Sequence, residues 1–112
     1  MNFDIIPTSG FAKALKALAK RHRSIKHDVD EFSKSLQKNP FQGDELSPGI
    51  RKIRMAISSK GRGKSGGARV ITYTIIVSEY QGRVYLMDIY DKADFSTVDV
   101  SLIKDIIAEL EL

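Results

Sequence analysis

Residues 68–78, ARVITYTIIVS, constrain this chain more than any other stretch. Val70, Thr72, Thr74 and Ile76 alternate with Ile71, Tyr73, Ile75 and Val77, and β-branched side chains dominate both sets. Such side chains lose rotamer freedom in a helix and pack well on a pleated surface. The stretch is therefore a strand, and a strand needs partners. Residues 50–57 (IRKIRMAI) and 83–90 (RVYLMDIY) have similar character on either side of it. Gln81 and Gly82 are read as the turn that joins the last two strands into a hairpin. A three-stranded antiparallel meander is the expected centre of the fold.

The N-terminal third reads as helical. A short apolar run over residues 2–6, stopped by Pro7, fits a first strand. Thr8 or Ser9 can then cap a helix in which Phe11, Ala14, Leu15 and Leu18 share one face, opposite Lys13, Lys16, Lys20 and Arg21. Ile25, Val29, Phe32 and Leu36 define a second helix that ends before Asn39-Pro40, because proline disfavours helix at the preceding residue. The two form an αα-hairpin. Residues 39–49 hold two prolines and two glycines and read as a loop. A last helix, capped near Ser96 with Asp99 three residues on, carries Leu102, Ile103, Ile106, Ile107 and Leu110. The expected fold is α+β: one domain over residues 1–112 with an N-terminal strand, a helical hairpin, the meander and a C-terminal helix. It forms one small sheet with its helices packed on one face, leaving the other face open.

The open face is where function is expected. Lys52 and Arg54 lie two apart on a strand and so emerge together, while Ile53, Met55 and Ile57 point the other way. If residues 68–78 pair back on that strand, Arg69 joins them. Grouped cations do not stabilise a fold, and Arg is a good fork for phosphate, so a polyanion is the expected occupant. Arg69 is expected to be exposed, so that truncating it would leave the fold intact. A net charge of +4 agrees with an acidic partner. Between the strands, residues 58–67 (SSKGRGKSGG) offer Lys60, Arg62 and Lys64 and no apolar anchor. They form either a mobile hairpin tip or an arm that grips a nucleic-acid backbone.

Other chemistries find little support. GRGKSG at 61–66 matches the dinucleotide-binding glycine pattern, but a β-branched strand follows it where a helix N-terminus should hold the pyrophosphate. The chain has no cysteine, so disulfides and thiolate catalysis are excluded. His22 and His27 have no acidic cluster at ligand spacing and read as surface histidines, so no metal and no cofactor are expected. Asp88, inside an apolar strand, either faces the open side or pairs with a cation. Phe3, Phe11, Phe32, Tyr73 and Tyr85 fit core periodicity rather than a base-stacking platform. No segment has the makings of a membrane span or a signal peptide, which points to a cytoplasmic chain.

The segments KIRMA (52–56), GKSGGARVITYTI (63–75) and VYLMDIYDK (84–92), followed by an amphipathic helix, resemble the RelE/ParE superfamily of toxins from bacterial type II toxin–antitoxin pairs. Within it the RelE-like and HigB-like branch is the most similar. The resemblance covers nearly the whole chain. It implies a RelE-like fold and a ribosome-dependent mRNA endonuclease that blocks translation. In such an enzyme a ribose 2′-hydroxyl attacks the adjacent phosphate without a metal ion. It also implies partners: ribosome and mRNA, and a cognate antitoxin that neutralises the toxin in a hetero-oligomer.

By position, the resemblance assigns catalysis to Lys52, Arg54, Arg69 and Lys92; Lys60, Arg62 and Lys64, from the basic loop, and Tyr90, at the strand end, are the expected RNA contacts. Ala93 and Asp94 stand where the family has an arginine, and the last helix lacks the family's tyrosine. The general acid and base are thus left open, with Tyr90, Asp91 and Lys92 as substitutes to test. Two alternatives stand beside this reading: a ParE-like inhibitor of DNA gyrase, and a basic RNA-binding module without catalysis.

Overall fold

The computed structural model describes residues 2–95, 97–110 and 112. Its order is β1 (Asn2–Pro7), α1 (Ser9–Ala19), α2 (Ile25–Lys38), β2 (Asp44–Ser47) and β3 (Ile50–Met55), a 3₁₀ turn (Ser58–Lys60), then β4 (Ala68–Ile76), β5 (Gln81–Asp91) and α3 (Val100–Glu109). The five strands form one sheet in the order β1-β5-β4-β3-β2. β1 runs parallel to β5, and the other pairs are antiparallel. The fold is thus α+β, with a mixed sheet and, among the described residues, three α-helices. Among the described residues, no helix is long and apolar enough to cross a membrane.

Thr8 sets the start of α1. Its Oγ1 accepts from the Phe11 N–H at 3.2 Å and donates to the Leu86 carbonyl at 2.9 Å, so one hydroxyl caps the helix and ties it to β5. Phe11 and Leu18 of α1, with Ile25, Val29, Phe32 and Leu36 of α2, pack on Ile53, Met55, Val70, Val84 and Leu86 of the sheet. Phe11, Ile25 and Leu36 are essentially inaccessible, and each such burial is worth about 1.5–3 kcal/mol.

The helices do not share one face. Ile103 of α3, with Ile107 and Leu110, packs on Ile50, Ile71, Tyr73, Tyr85 and Met87, a second cluster on the reverse side. The cause lies in the strands: β4 and β5 are apolar on both faces, and an uncovered second face would leave that surface wet. α3 leaves open the end of the reverse face near Arg54, Arg69 and Lys92. α3 is capped by Asp99, whose Oδ1 accepts from the Ser101 N–H at 2.9 Å. Ser96, expected near that cap, lies outside the described residues. Leu102 and Ile106, expected in the stripe, point outward instead.

Two connections also differ from expectation. The segment read as a loop contains β2, which pairs Asp44 with Lys52 and Glu45 with Arg51. Gln81 and Gly82 belong to β5 rather than to a turn; the reversal falls at residues 77–80, where the Val77 and Ser78 N–H groups both reach the Gln81 carbonyl. Gly82 is needed for space, because a Cβ there would strike the Phe3 ring of β1 and come within 2.8 Å of the Ile75 carbonyl.

Candidate nucleic-acid interface

Antiparallel register places Arg54 of β3 opposite Arg69 of β4, and Arg69 opposite Tyr90 of β5. The last pairing depends on a bulge. Ile71 faces Asp88 but Thr72 faces Leu86, so β5 spends one extra residue at Met87. The extra residue flips the alternation: Tyr85 and Met87 lie on the α3 side before it, Tyr90 after it, and Ile89 turns to the α1–α2 core. Lys92, two beyond Tyr90, then comes to the cationic end of the face. The result is a cleft of about 190 Å³ lined by Asp44, Lys52, Arg54, Arg69 and Lys92. The four cations assigned to catalysis meet there, while Lys60, Arg62 and Lys64 are not in its lining.

Among the described residues, Lys52, Arg54 and Lys92 make no ion pair within the chain. Their charge is therefore available to a ligand. Arg69 is different. It is only 5% exposed, and its guanidinium donates to the Lys64 and Ala68 carbonyls at 3.1 Å and to the Ser65 carbonyl at 3.2 Å. Burial and the neighbouring Arg54 pull it below the ordinary arginine value, against a contrary pull from Tyr90, and it stays charged at any working pH. The expectation of an exposed Arg69 is thereby corrected: it is built into the wall. Asp44, the one carboxylate of the cleft lining, gave no signal in the sequence because its segment read as a loop.

The cleft continues past Arg54. A groove of about 250 Å³ passes Gln42, Gly43, Asp44, Lys52 and Lys64. It leads to a hollow of about 300 Å³ beneath α2, where His27, Glu31, Ser35 and Gln42 stand over Phe32 and Met55. Lys64 borders both, and Arg62 is exposed on the same loop.

Three expected contacts change character. Lys60 is not a free cation: its Nζ lies 2.9 Å from Asp91 Oδ1, with a side chain 18% exposed. Tyr90 is buried against α3, its ring edge-on to Phe95 with centroids 6.0 Å apart, so it offers no face to a base. Its hydroxyl has no hydrogen-bond partner among the described residues. Burial raises its pKa, opposed by Arg69 and reinforced by Asp88, so the phenol stays protonated at neutral pH and cannot serve there as a base. The loop is also no free arm. The Ser58 N–H and hydroxyl donate to Asp28, the Ser59 N–H donates to Ser24 Oγ at 2.8 Å, and the Lys92 N–H donates to the Gly67 carbonyl at 3.1 Å.

His22 is not a surface histidine, since its Nε2 lies 2.8 Å from Asp91 Oδ2 with the side chain 13% exposed. Asp91 itself is 1% exposed. Burial pushes its carboxyl up, but hydrogen bonds from the Ala93 N–H, Lys60 and His22 outweigh that and hold it below the usual carboxylate range. Asp88 makes no ion pair among the described residues, and burial raises its pKa. Among the described residues no group of three acidic or histidine side chains could hold a metal. Gly61 and Gly63 take left-handed conformations, φ 69° and 64°, and β4 follows at Ala68, so the glycine pattern makes turns and no helix-borne phosphate site. No protein-family model matches the chain.

Proposed function

We propose that the chain is a RelE-like toxin, an endoribonuclease that cuts mRNA on the ribosome and is held in check by a cognate antitoxin. The observation that carries this reading is the cleft itself: Lys52, Arg54, Arg69 and Lys92 converge on one space, three of them unpaired among the described residues. The element order and the antiparallel run β2–β5 support the RelE-like topology that the resemblance implies.

In this reading a scissile phosphate sits between the arginines. Arg69, held by three carbonyls, is pre-aimed, so little reorganisation accompanies charge development on the phosphorane. Lys52 and Arg54 share that charge. The ribose 2′-oxygen bonds to phosphorus while its proton passes to Asp44, the carboxylate in the lining. The bond from phosphorus to the 5′-oxygen breaks, and Lys92 gives that oxygen a proton. The products are a 2′,3′-cyclic phosphate and a 5′-hydroxyl.

Induced expression without a neighbouring antitoxin gene should arrest growth, with message ends mapping inside translated codons. Asp44→Asn should lower single-turnover cleavage by about 100-fold and leave RNA affinity close to wild type. Growth arrest with intact messages and blocked gyrase supercoiling would instead favour the gyrase reading.

A further inference from the structure

We propose that Asp91 is a positioning residue for the cleft: by clamping Lys60 it fixes the 58–67 loop, and the carbonyls of that loop aim Arg69. This rests on the reading of the cleft as the RNA-cutting site. Asp91 points away from the cleft, into a junction of three segments that are remote in sequence. Its Oδ1 accepts from Lys60 Nζ and from the Ala93 N–H, each at 2.9 Å. Its Oδ2 accepts from His22 Nε2 at 2.8 Å and Arg21 Nη2 at 3.3 Å. A carboxylate with 2% side-chain exposure has exchanged water for these donors. Removing one donor leaves an ion only partly compensated.

The connection to the cleft runs along the loop. Its first root is pinned by Ser58 on Asp28, and its second by the Lys92 N–H on the Gly67 carbonyl. With Ser59 tied to Ser24, Lys60 extends the first root, and its bond to Asp91 is the side-chain tie nearest the residues that hang between the two roots. Two of those residues, Lys64 and Ser65, present the carbonyls that receive the Arg69 guanidinium. Arg69 needs such a hold, because its cross-strand neighbour is Arg54 and like charges drive the two apart. On the other side, the turn that Asp91 makes with the Ala93 N–H shapes the backbone around Lys92. One buried carboxylate thus sets the pose of two cations in the cleft without touching a ligand. Lys60 contributes no free charge, so its effect should appear in rate rather than in affinity.

The test uses the full chain with Lys60→Met, which keeps the aliphatic stem, and Asp91→Asn as the companion. Side-chain nitrogen NMR reads hydrogen exchange of the Arg69 guanidinium, and single-turnover cleavage of ribosome-bound mRNA reads the chemistry. In Lys60→Met the Arg69 exchange rate should rise about tenfold. The cleavage rate should fall about 100-fold, as for a misplaced catalytic group, with affinity for single-stranded RNA within about threefold of wild type. Unchanged Arg69 exchange in folded Lys60→Met overturns the proposal, and so does lost protection with an unchanged rate. If Asp91→Asn does not fold, Lys60→Met alone decides. A wild-type chain that cuts nothing refutes the nuclease reading, while Arg69 exchange still tests the clamp.

Discussion

Arg69→Met separates an arginine that is built into the wall from one that merely waits for a ligand. The native guanidinium makes three hydrogen bonds to carbonyls and is 5% exposed. Charge-assisted bonds are worth about 1.5–3 kcal/mol each when a buried partner is stranded. Lys64 and Ser65 are exposed, so their carbonyls regain water in the variant and the loss there is smaller, about 0.5–1 kcal/mol each. Ala68 is fully buried and its carbonyl carries the larger share. Relief of repulsion from Arg54 returns about 0.5–1 kcal/mol. The net loss is about 2–4 kcal/mol, which for a chain of this length lowers the melting temperature by about 10–15 °C. Circular dichroism melts and urea titration would read it, with Lys52→Met as control. Lys52 is half-buried without a partner among the described residues, so its loss should cost under about 0.5 kcal/mol while weakening RNA binding. An Arg69→Met melt within about 2 °C of wild type would refute the anchoring argument.

Four further outcomes follow from the same geometry. Asp28 and Asp91 have carboxyls held below their unfolded value of about 3.9. Their contribution to stability is therefore present above that pH and lost as pH falls through the folded values, and a urea series from pH 6 to about pH 3 should show it declining. Asp88 has the opposite sign, since burial raises its pKa and its ionised form is penalised in the fold. Asp88→Asn should raise stability at neutral pH, and the gain should vanish as pH falls to where the wild-type carboxyl is protonated. Gly82→Ala should cost about 1–3 kcal/mol by driving a methyl into the Phe3 ring, visible as a lower denaturation midpoint. Arg62→Ala with Lys64→Ala should reduce the salt slope of RNA binding by about 1–2 units and barely move the melt, because Arg62 and Lys64 are exposed and make no ion pair among the described residues.

Lys52, Arg54 and Arg69 of the cleft were legible in the sequence because their signal is local, whereas Lys92 came only from the resemblance. A period of two places Lys52 beside Arg54, and a β-branched run opening at Arg69 must pair back on them. The helical hairpin was legible for the same reason, with spacings of three and four and a proline stop. What could not be read depends on distant partners. The residues DELS of β2 have little strand propensity, and the segment is extended because β3 offers it an edge. The apolar stripe of α3 says that one side is buried but not against which sheet face, since Ile71 and Val70 both wanted cover. The Met87 bulge, which turns Tyr90 toward Arg69, leaves no mark in the alternation of so apolar a strand. Asp91 and its partners lie 31 to 70 residues apart, so a loop with three cations read as free when one of them was already paired.

The most direct test of the central claim is primer-extension mapping of a defined message in a reconstituted translation reaction, comparing wild type with Lys52→Met and Lys92→Met. Wild type should leave new 5′-hydroxyl ends inside codons that ribosomes are reading, and only when ribosomes are present. Both variants should leave far fewer, although each remains folded. An intact message with undiminished translation would contradict the account, as would equal cutting by wild type and both variants.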